Sequence, residues 1–318
     1  MRNRLLERPI QLSWLLWGAG LLAAVGLPGQ AWSKQNSGNA VIRSPFGESE
    51  IVITTTNRLA GAIHSLTWNG QEFIDSIDHG RQLQSASNFD CGTKFYPETF
   101  NPTEAGSRSD GAGKTSSSRL LNFKFGEDWL SSTSQMAFWL KPGEKSSGKI
   151  AKNTTVLSEH LLSKDVRIGI PGFDNVIRYR VTFTTPKREQ HRLAQFEVLT
   201  GYMPIEFRRF LGLSTTDGAL VKLADGPGEQ KLPIILATEK GDFAMGAIAI
   251  SAPKGFQWVG PGYGRFAFDT QKVTKWNVVY RLRDEEAVPF GRFEFDVLVI
   301  VGNLEMVRAT MFKLVNRN

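Results

Sequence analysis

One polar segment in the first half of the chain carries most of the side chains that could act on a ligand. Residues 78–118 hold one of the four histidines, the single cysteine, several carboxylates and a tail rich in Gly, Ser and Thr. A long segment without regular structure inside a domain is usually functional or disordered. Because its polar groups are of many types, we predict that residues 78–118 line a ligand-binding cleft.

The start of this segment combines a histidine with an arginine and two glutamines. Histidine titrates near neutral pH and can transfer a proton, and arginine can hold a carboxylate. We therefore predict that His79 and Arg81 are catalytic, and that Gln82 and Gln84 bind the substrate. The alternative is a surface turn in which Asp78 and Arg81 form a weak ion pair.

A second group of polar residues lies between two prolines and a glycine, in the stretch YPETFNPTEAG. A rigid loop with two carboxylates and an amide suits acid/base chemistry or the binding of sugar hydroxyls. We predict Glu104 as the catalytic partner of His79, with Tyr96, Glu98 and Asn101 in contact with the substrate. The alternative is an ordered turn in which Asn101 and Glu104 cap backbone amides.

Two further stretches could contribute to binding. Asp110 begins the sequence DGAGKT, which lacks the full spacing of a phosphate-binding loop, so we interpret it as a polar lid over the cleft. Trp258 and Tyr263 flank a Gly-Pro-Gly stretch predicted to be a turn, where aromatic rings could stack on sugars. The alternative for this second stretch is an ordinary hairpin.

The spacing of the remaining titratable residues predicts neither a metal site nor a cofactor. His64, His160 and His191 are far apart in sequence, without the short spacings typical of zinc ligands. The formal charge is +7, but the basic residues are scattered, which argues against a nucleic-acid partner. We expect at most a mild attraction to acidic glycans or anionic surfaces.

The N-terminus predicts an exported protein. Three arginines precede an apolar stretch at residues 12–25, and a small-x-small site follows at residues 31–33. This is the layout of a secretory signal peptide, so we predict residues 1–33 as the signal and residues 34–318 as one domain in the periplasm or outside the cell. The alternative is an uncleaved anchor. No later stretch has the length of a membrane span, and Cys91 has no partner for an internal disulfide.

Short alternating segments separated by Gly and Pro predict antiparallel strands throughout the domain. The segments 178–184 and 292–301 alternate apolar with polar residues, and Asn69-Gly70 is typical of a hairpin turn. One helix is expected at the C-terminus, capped by Asn303. We therefore predict an all-β antiparallel sandwich with one short helix.

The stretch NRLAGAIHSLTWNGQEFI, residues 57–74, resembles the start of galactose-mutarotase-like β-supersandwich proteins. The Gly-Arg-Gln of residues 80–82 and the strand-rich remainder of the chain also resemble that superfamily. That superfamily includes aldose epimerases and sandwich domains of polysaccharide lyases and glycoside hydrolases. The resemblance implies a supersandwich fold and a carbohydrate ligand, and a fold alone does not specify the reaction.

Taken together, these features predict an exported carbohydrate-active protein with lyase, hydrolase or epimerase chemistry in the cleft. A non-catalytic glycan-binding or envelope-associated sandwich is the competing interpretation, and a structural secreted protein is the third. The sugar, its linkage and the oligomeric state stay open at this point.

Overall fold

The computed structural model describes residues 37–317, so the predicted signal peptide lies outside the described residues. The strands are β1 (Ala40–Phe46), β2 (Ser49–Thr55), β3 (Ile63–Trp68), β4 (Gln71–Glu72), β5 (Leu83–Phe89), β6 (Pro102–Thr103), β7 (Arg119–Phe125), β8 (Trp129–Phe138), β9 (Lys145–Ser146), β10 (Lys149–Ile150), β11 (Leu157–Ile170), β12 (Phe173–Thr185), β13 (Leu193–Pro204), β14 (Arg209–Leu213), β15 (Leu220–Lys222), β16 (Gly228–Gln230), β17 (Ile234–Ala237), β18 (Ala244–Ser251), β19 (Trp258–Phe268), β20 (Val273–Arg283) and β21 (Gly291–Gly302). The helix α1 spans Leu304–Val315.

The pairings arrange nearly all strands in two antiparallel sheets. Sheet I has the order β1-β2-β3-β5-β13-β20-β19-β16. Sheet II has the order β7-β8-β11-β12-β21-β18-β17-β14-β15. The short strand β6 pairs with both β5 and β8 and so joins the two sheets. The predicted all-β antiparallel sandwich is confirmed.

The main core lies between the facing sides of the two sheets. Alternate residues of β20, such as Trp276 and Val278, pack towards alternate residues of β21, such as Phe295 and Val297. Period-2 alternation therefore places one set of side chains in the core and the other on the outer face. On sheet I that outer face carries the polar residues of β13 and β20, which form the floor of the site described below.

The predicted helix and the predicted hairpin turn are both confirmed. The Asn303 side chain accepts a hydrogen bond from the Met306 amide, and α1 packs its apolar stripe on the outer face of sheet II. Asn69 and Gly70 connect β3 to β4 with φ values of 49° and 74°. Among residues 37–317, no helix is long and apolar enough to cross a bilayer.

Two local expectations differ from the structure. Residues 83–89 form the central strand β5, inside the segment predicted as an irregular loop. Their sequence LQSASNF is polar for a buried strand, but the hydroxyl of Ser85 donates to the Val198 carbonyl at 2.7 Å, which satisfies it. The predicted turn around Gly260 lies within β19, where a bulge between Val259 and Gly262 accommodates the proline.

Candidate functional site

A cleft opens on the outer face of sheet I, between the strands β5, β13 and β20 and the loops that follow β5 and β8. Its cavity volume is about 80 Å³, which leaves room for several hydroxyl-sized groups. The lining residues are Gly80, Gln84, Ala86, Glu98, Asn101, Thr103, Trp139, Glu197, Thr200, Tyr202 and Lys275.

A bulge in β13 decides which of its side chains reach the cleft. In a regular strand, residues 197 and 200 would point to opposite faces. The register of β13 shifts after Glu197 against both of its neighbours, β5 and β20. The extra residue turns Glu197 to the same face as Thr200 and Tyr202, and all three line the cleft.

Glu197 and Lys275 form an ion pair on the cleft floor. The Lys275 Nζ lies 3.3 Å from Glu197 Oε2, and the two side chains are 14% and 16% exposed. Asn277 and Thr200 donate to the same oxygen at 3.2 and 3.1 Å. Burial alone would raise the pKa of Glu197, but Lys275 and these hydrogen bonds lower it below its ordinary value. Glu197 is therefore an ionised acceptor at neutral pH.

The ammonium of Lys275 lies between two aromatic rings. Its Nζ is 5.1 Å from the centroid of Tyr202 and 5.2 Å from that of Phe266. Burial alone would lower the pKa of Lys275, but Glu197 and Tyr202 raise it above its ordinary value. Burial also raises the pKa of Tyr202, despite the opposing effect of Lys275. The floor thus presents a fixed cation, a fixed anion and a neutral phenol.

Glu98 stands on the opposite wall in a backbone conformation that favours glycine. Its φ is 66°, and it occupies the third position of a turn in which the Thr99 amide donates to the Tyr96 carbonyl at 3.4 Å. A non-glycine residue held there is strained by about 1–3 kcal/mol, and such strain is concentrated at functional sites. Glu98 lines the cleft, and the Ser146 hydroxyl donates to its carboxylate.

Trp139 forms part of the same wall and lies against a glycine. A Cβ placed on Gly80 would be 2.5 Å from the Trp139 ring. The Trp139 amide also donates to the Asn101 carbonyl at 2.8 Å, which joins the tryptophan to the loop that carries Glu98. Glycine at position 80 therefore leaves the space in which the indole lines the cleft.

The three residues predicted as catalytic make their contacts with protein groups away from the cleft lining. His79 is 1% exposed, with its Nδ1 2.7 Å from the Gly111 carbonyl and its Nε2 2.8 Å from the Arg58 carbonyl. Arg81 pairs with Asp78 at 3.0 Å, as the surface-turn alternative predicts, although its side chain is 19% exposed. These contacts hold the beginning of the loop in place.

Glu104, predicted as the partner acid or base, lies in the core between the sheets. It forms an ion pair with Lys164, and the two side chains are 2% and 1% exposed. The Ser85 amide donates to Glu104 Oε2 at 3.0 Å, and the Tyr179 hydroxyl lies 3.4 Å from the same oxygen. Burial and the Glu104 charge raise the pKa of Tyr179 well above its usual range. Glu104 thus connects the segment of residues 78–118 to sheet II.

Of the predicted binding residues, Gln84, Glu98 and Asn101 line the cleft. The Gln84 amide donates to the Gly80 carbonyl at 2.9 Å, and the Asn101 amide donates to the Ser87 carbonyl at 2.6 Å. Both side chains therefore also hold the loop in place.

The other predicted binding residues lie elsewhere. Gln82 is buried, and Asp110 forms a capping box with Ser107. Tyr263 is 2% exposed and Trp258 packs against the core, because both point to the inner side of sheet I. The ring of Tyr96 faces the ammonium groups of three lysines, of which Lys149 is the nearest at 4.8 Å.

Two histidines that are isolated in sequence meet at one carboxylate. The Nε2 atoms of His160 and His191 lie 2.6 and 2.9 Å from Glu189 Oε2. Burial alone would raise the pKa of Glu189, but the two imidazoles lower it to about 2. His160, Glu189 and His191 each offer one potential metal-ligand atom, and these atoms lie within 4.8 Å of one another, a grouping that the sequence spacing does not reveal. The rings of Phe89 and Phe100 pack against both histidines.

Glu197, Tyr202, Lys275 and Trp139 also line the cleft, and none of them is predicted from the sequence. A signal for Lys275 exists, because it and Asn277 occupy alternate positions in the strand-like run KWNVVY, whose other residues are apolar or aromatic. For Glu197 the alternation is broken by the bulge, so the sequence conceals which face it occupies.

Comparison with known proteins gives no family, since no protein-family model and no curated protein matches the chain. Among solved structures, it is similar to the Slr1438 protein from Synechocystis sp. PCC 6803, with 9% identity and a TM-score of 0.42 over 83% of this chain and 96% of that one. It is similar to the α-galactosidase from Lactobacillus brevis, with 9% identity and a TM-score of 0.44 over 87% of this chain and 42% of that one. It is also similar to the heparan sulfate lyase from Pedobacter heparinus, with 8% identity and a TM-score of 0.42 over 84% and 36%. The chain thus spans less than half of each of these two enzymes, and similarity at this level is too low to assign a function.

Proposed function

We propose that the protein is a carbohydrate-active enzyme that holds a sugar in the cleft on the outer face of sheet I and transfers a proton to or from it. The observation that carries the proposal is the meeting of two carboxylates, Glu98 and Glu197, with Lys275 and two aromatic rings in one small polar cavity. Sugars combine many hydroxyls with apolar ring faces, and this lining offers partners for both.

The two carboxylates have different surroundings and are given different roles. Glu197 is fixed as an anion by Lys275 and Asn277, so it accepts hydrogen bonds from hydroxyls and leaves proton transfer to another group. Glu98 has no ammonium partner among the described residues, and it accepts from the Ser146 hydroxyl. Glu98 is therefore the general acid or base, and Glu197 with Lys275 orients the sugar.

The aromatic residues and amides complete the binding surface. Trp139 and Tyr202 line the cleft and can cover an apolar sugar face, and Gln84 and Asn101 border it with polar groups. Backbone hydrogen bonds hold Trp139 and Asn101 in one wall, which reduces the entropy lost when a sugar binds.

A second candidate function is glycan binding without turnover. It is favoured by the direction of the pKa shifts on the cleft floor, because Glu197 is displaced downwards while Lys275 and Tyr202 are displaced upwards. All three shifts move these groups away from the neutral range in which a general acid or base works best. In that case Glu98 would also serve only to bind hydroxyls.

Export is part of the proposal and is motivated by the signal-like N-terminus at residues 1–33. The extracellular or periplasmic space is where such a protein would meet glycans. Mass spectrometry of the protein recovered from outside the cytoplasm should show a chain that begins after Ser33. A chain that still begins at Met1 would contradict cleavage.

The experiment combines calorimetric binding and product analysis on a panel of neutral and acidic monosaccharides and oligosaccharides. We expect the native protein to bind one class and convert it, Glu98→Gln to bind without conversion, and Lys275→Met to lose at least about tenfold in affinity. Glu305→Gln on α1 is a matched control, because that carboxylate is 71% exposed and remote from the cleft residues in the fold.

Each outcome of this panel separates the candidates. Conversion that continues unchanged in Glu98→Gln would remove the assigned general acid or base. Binding without product from any glycan would establish the non-catalytic alternative. If no sugar binds to the native protein, the carbohydrate proposal is wrong in both forms.

A further inference from the structure

A row of side chains leads from the cleft to the edge of sheet I. Tyr202 of β13 is paired with Lys275 of β20, and Lys275 is paired with Phe266 of β19. Residues that are directly paired in antiparallel strands project to the same face. Because Tyr202 and Lys275 line the cleft, Phe266 continues the same surface beyond it.

This surface ends in two parallel phenylalanine rings. The centroids of Phe266 and Phe268 are 6.1 Å apart, with an angle of 5° between the ring planes. Phe268 is 36% exposed, so part of its ring is accessible to a ligand at the end of this surface. The neighbouring residue on the same face is Gly264, which has no side chain to block access to the two rings. A Cβ at this position would come within 2.1 Å of Asn277 Oδ1.

The end of the row is open within the described residues. The strand β16 covers β19 only through the pairs Gly228–Arg265, Glu229–Gly264 and Gln230–Tyr263. From Phe266 onwards, β19 pairs only with β20 and forms the border of sheet I in the described part of the chain. A ligand longer than the cleft can therefore extend across these rings.

We infer that Phe266 and Phe268 form a second sugar-binding surface, continuous with the cleft, and that the ligand is an oligosaccharide of at least two units. This inference rests on the proposed carbohydrate function. One unit occupies the cleft against Trp139 and Tyr202, and the chain continues past the Lys275 ammonium. The next unit places its apolar face on the exposed ring of Phe268.

The chemistry of the row matches a sugar chain better than an apolar peptide. An ammonium between the rings of Tyr202 and Phe266 puts a hydrogen-bond donor between two apolar faces. A glycan alternates in the same way, with hydroxyls around the rim of each ring and C–H groups on its faces. The Lys275 ammonium has three N–H donors and two side-chain acceptors, Glu197 and Tyr202, so a purely apolar partner would leave one donor without an acceptor, which is costly.

The test compares monomer and tetramer affinities by calorimetry on the full chain, with galacturonic acid and tetragalacturonate as the acidic probes and glucose and cellotetraose as the neutral ones. We expect a tetramer of one class to bind at least about tenfold tighter than its monomer, a difference worth about 1.4 kcal/mol. Phe268→Ala should remove most of this gain and leave the monomer affinity unchanged.

Phe290→Ala is the matched control for this test. Phe290 is 54% exposed and has the Lys187 ammonium 5.3 Å from its ring centroid, but it lies directly before β21, a strand of sheet II. It should leave the affinities for both monomer and tetramer unchanged.

Four results would overturn the inference. A tetramer that binds no tighter than its monomer, or a gain that persists in Phe268→Ala, would show that the ligand ends in the cleft and would leave the proposed function standing. A native dimer that Phe268→Ala converts to a monomer in light scattering would make the row a self-association surface. Failure of all four probes to bind would remove the sugar assignment on which the inference rests.

Discussion

Two glutamate–lysine pairs within residues 37–317 lie at different depths in the molecule. Glu104 and Lys164 lie between the sheets with 2% and 1% of their side chains exposed. Glu197 and Lys275 lie on the outer face of sheet I with 16% and 14% exposed, and both line the cleft. The same two residue types thus form a buried ion pair between the sheets in one place and part of the floor of a cleft in the other.

The difference shows that chemical type and local motif do not decide whether a carboxylate can meet a ligand. The motif NPTEAG made Glu104 the strongest candidate, but its oxygens receive hydrogen bonds from Lys164, Ser85 and Tyr179. Glu197 has no motif, yet a bulge in β13 turns it to the cleft. Access depends on which face of which sheet a side chain occupies.

The largest effect is expected when the buried pair is broken. Lys164→Met leaves the Glu104 charge buried and uncompensated, so the free energy of unfolding should fall by about 3–5 kcal/mol. Lys275→Met should cost only about 1–2 kcal/mol, because Glu197 keeps Asn277, Thr200 and partial contact with water. Urea unfolding followed by tryptophan fluorescence measures both values.

A double change provides the control for this first prediction. Glu104→Gln combined with Lys164→Met removes both charges and should recover most of the lost stability. The exposed pair of Arg43 and Glu50 should respond to Arg43→Met by less than about 1 kcal/mol. If Lys164→Met proves as mild as Arg43→Met, the distinction between a buried and an exposed pair fails.

A third carboxylate extends the comparison to titratable partners. The pKa of Glu189 is lowered from 4.5 to about 2 by His160 and His191, against the opposing effect of burial. Because the folded-state pKa lies below the unfolded value, the stabilisation is complete above pH 4.5 and is lost as the pH falls towards 2. At pH 7, Glu189→Gln should therefore cost about 2 kcal/mol, allowing for a partly exposed side chain.

The pH dependence identifies the origin of that loss. Unfolding midpoints of the native protein and of Glu189→Gln should converge as the pH is lowered from 5 to about 2, as linkage requires. A stability difference that is the same at every pH in this range would assign the effect to packing and not to ionisation.

The smallest effect on stability is expected from a change in the shape of the cleft. In Gly80→Ala, the added Cβ would lie 2.5 Å from the Trp139 ring, so the indole must move out of the wall. We expect a stability loss of about 1 kcal/mol together with a weaker affinity for the sugar that the native protein binds. Calorimetry and the wavelength of the tryptophan emission follow the two consequences.

Gly126→Ala is the matched control for the cleft variant. A Cβ at position 126 would lie 2.2 Å from the Nε1 of Trp129, at the turn between β7 and β8. It should lower stability to a similar extent and leave sugar affinity unchanged. An equal loss of affinity in both variants would mean that Gly80 acts through general stability.

Much of the fold could be predicted because alternation and turn chemistry are local properties. The alternation of residues 292–301 and the Asn69-Gly70 turn predicted β21 and the β3–β4 hairpin, and the capping asparagine predicted α1. The strand β5 is not predicted because its side chains are polar. Such side chains can be buried only where they find hydrogen-bond partners, as the Ser85 hydroxyl does at the Val198 carbonyl. Those partners come from distant parts of the chain.

The candidate site could be predicted only in part, for the same reason. The segment of residues 78–118 contributes Gln84, Glu98 and Asn101 to the cleft wall, and these were predicted from residue type and turn composition. Lys275 and Tyr202 belong to strands whose pairing brings them opposite each other. Sequence separation of more than seventy residues conceals that pairing.

The strand-rich class, the capped helix and the position of the polar segment follow from the sequence, because each depends on contacts between residues near one another in the chain. The burial of Glu104 against Lys164, and the position of Glu197 in a cleft beside Lys275, become visible only in the folded protein. The physical reason is that exposure depends on strand register and sheet packing. These arise from pairings between distant segments, and a one-residue bulge is enough to move a carboxylate from one face to the other.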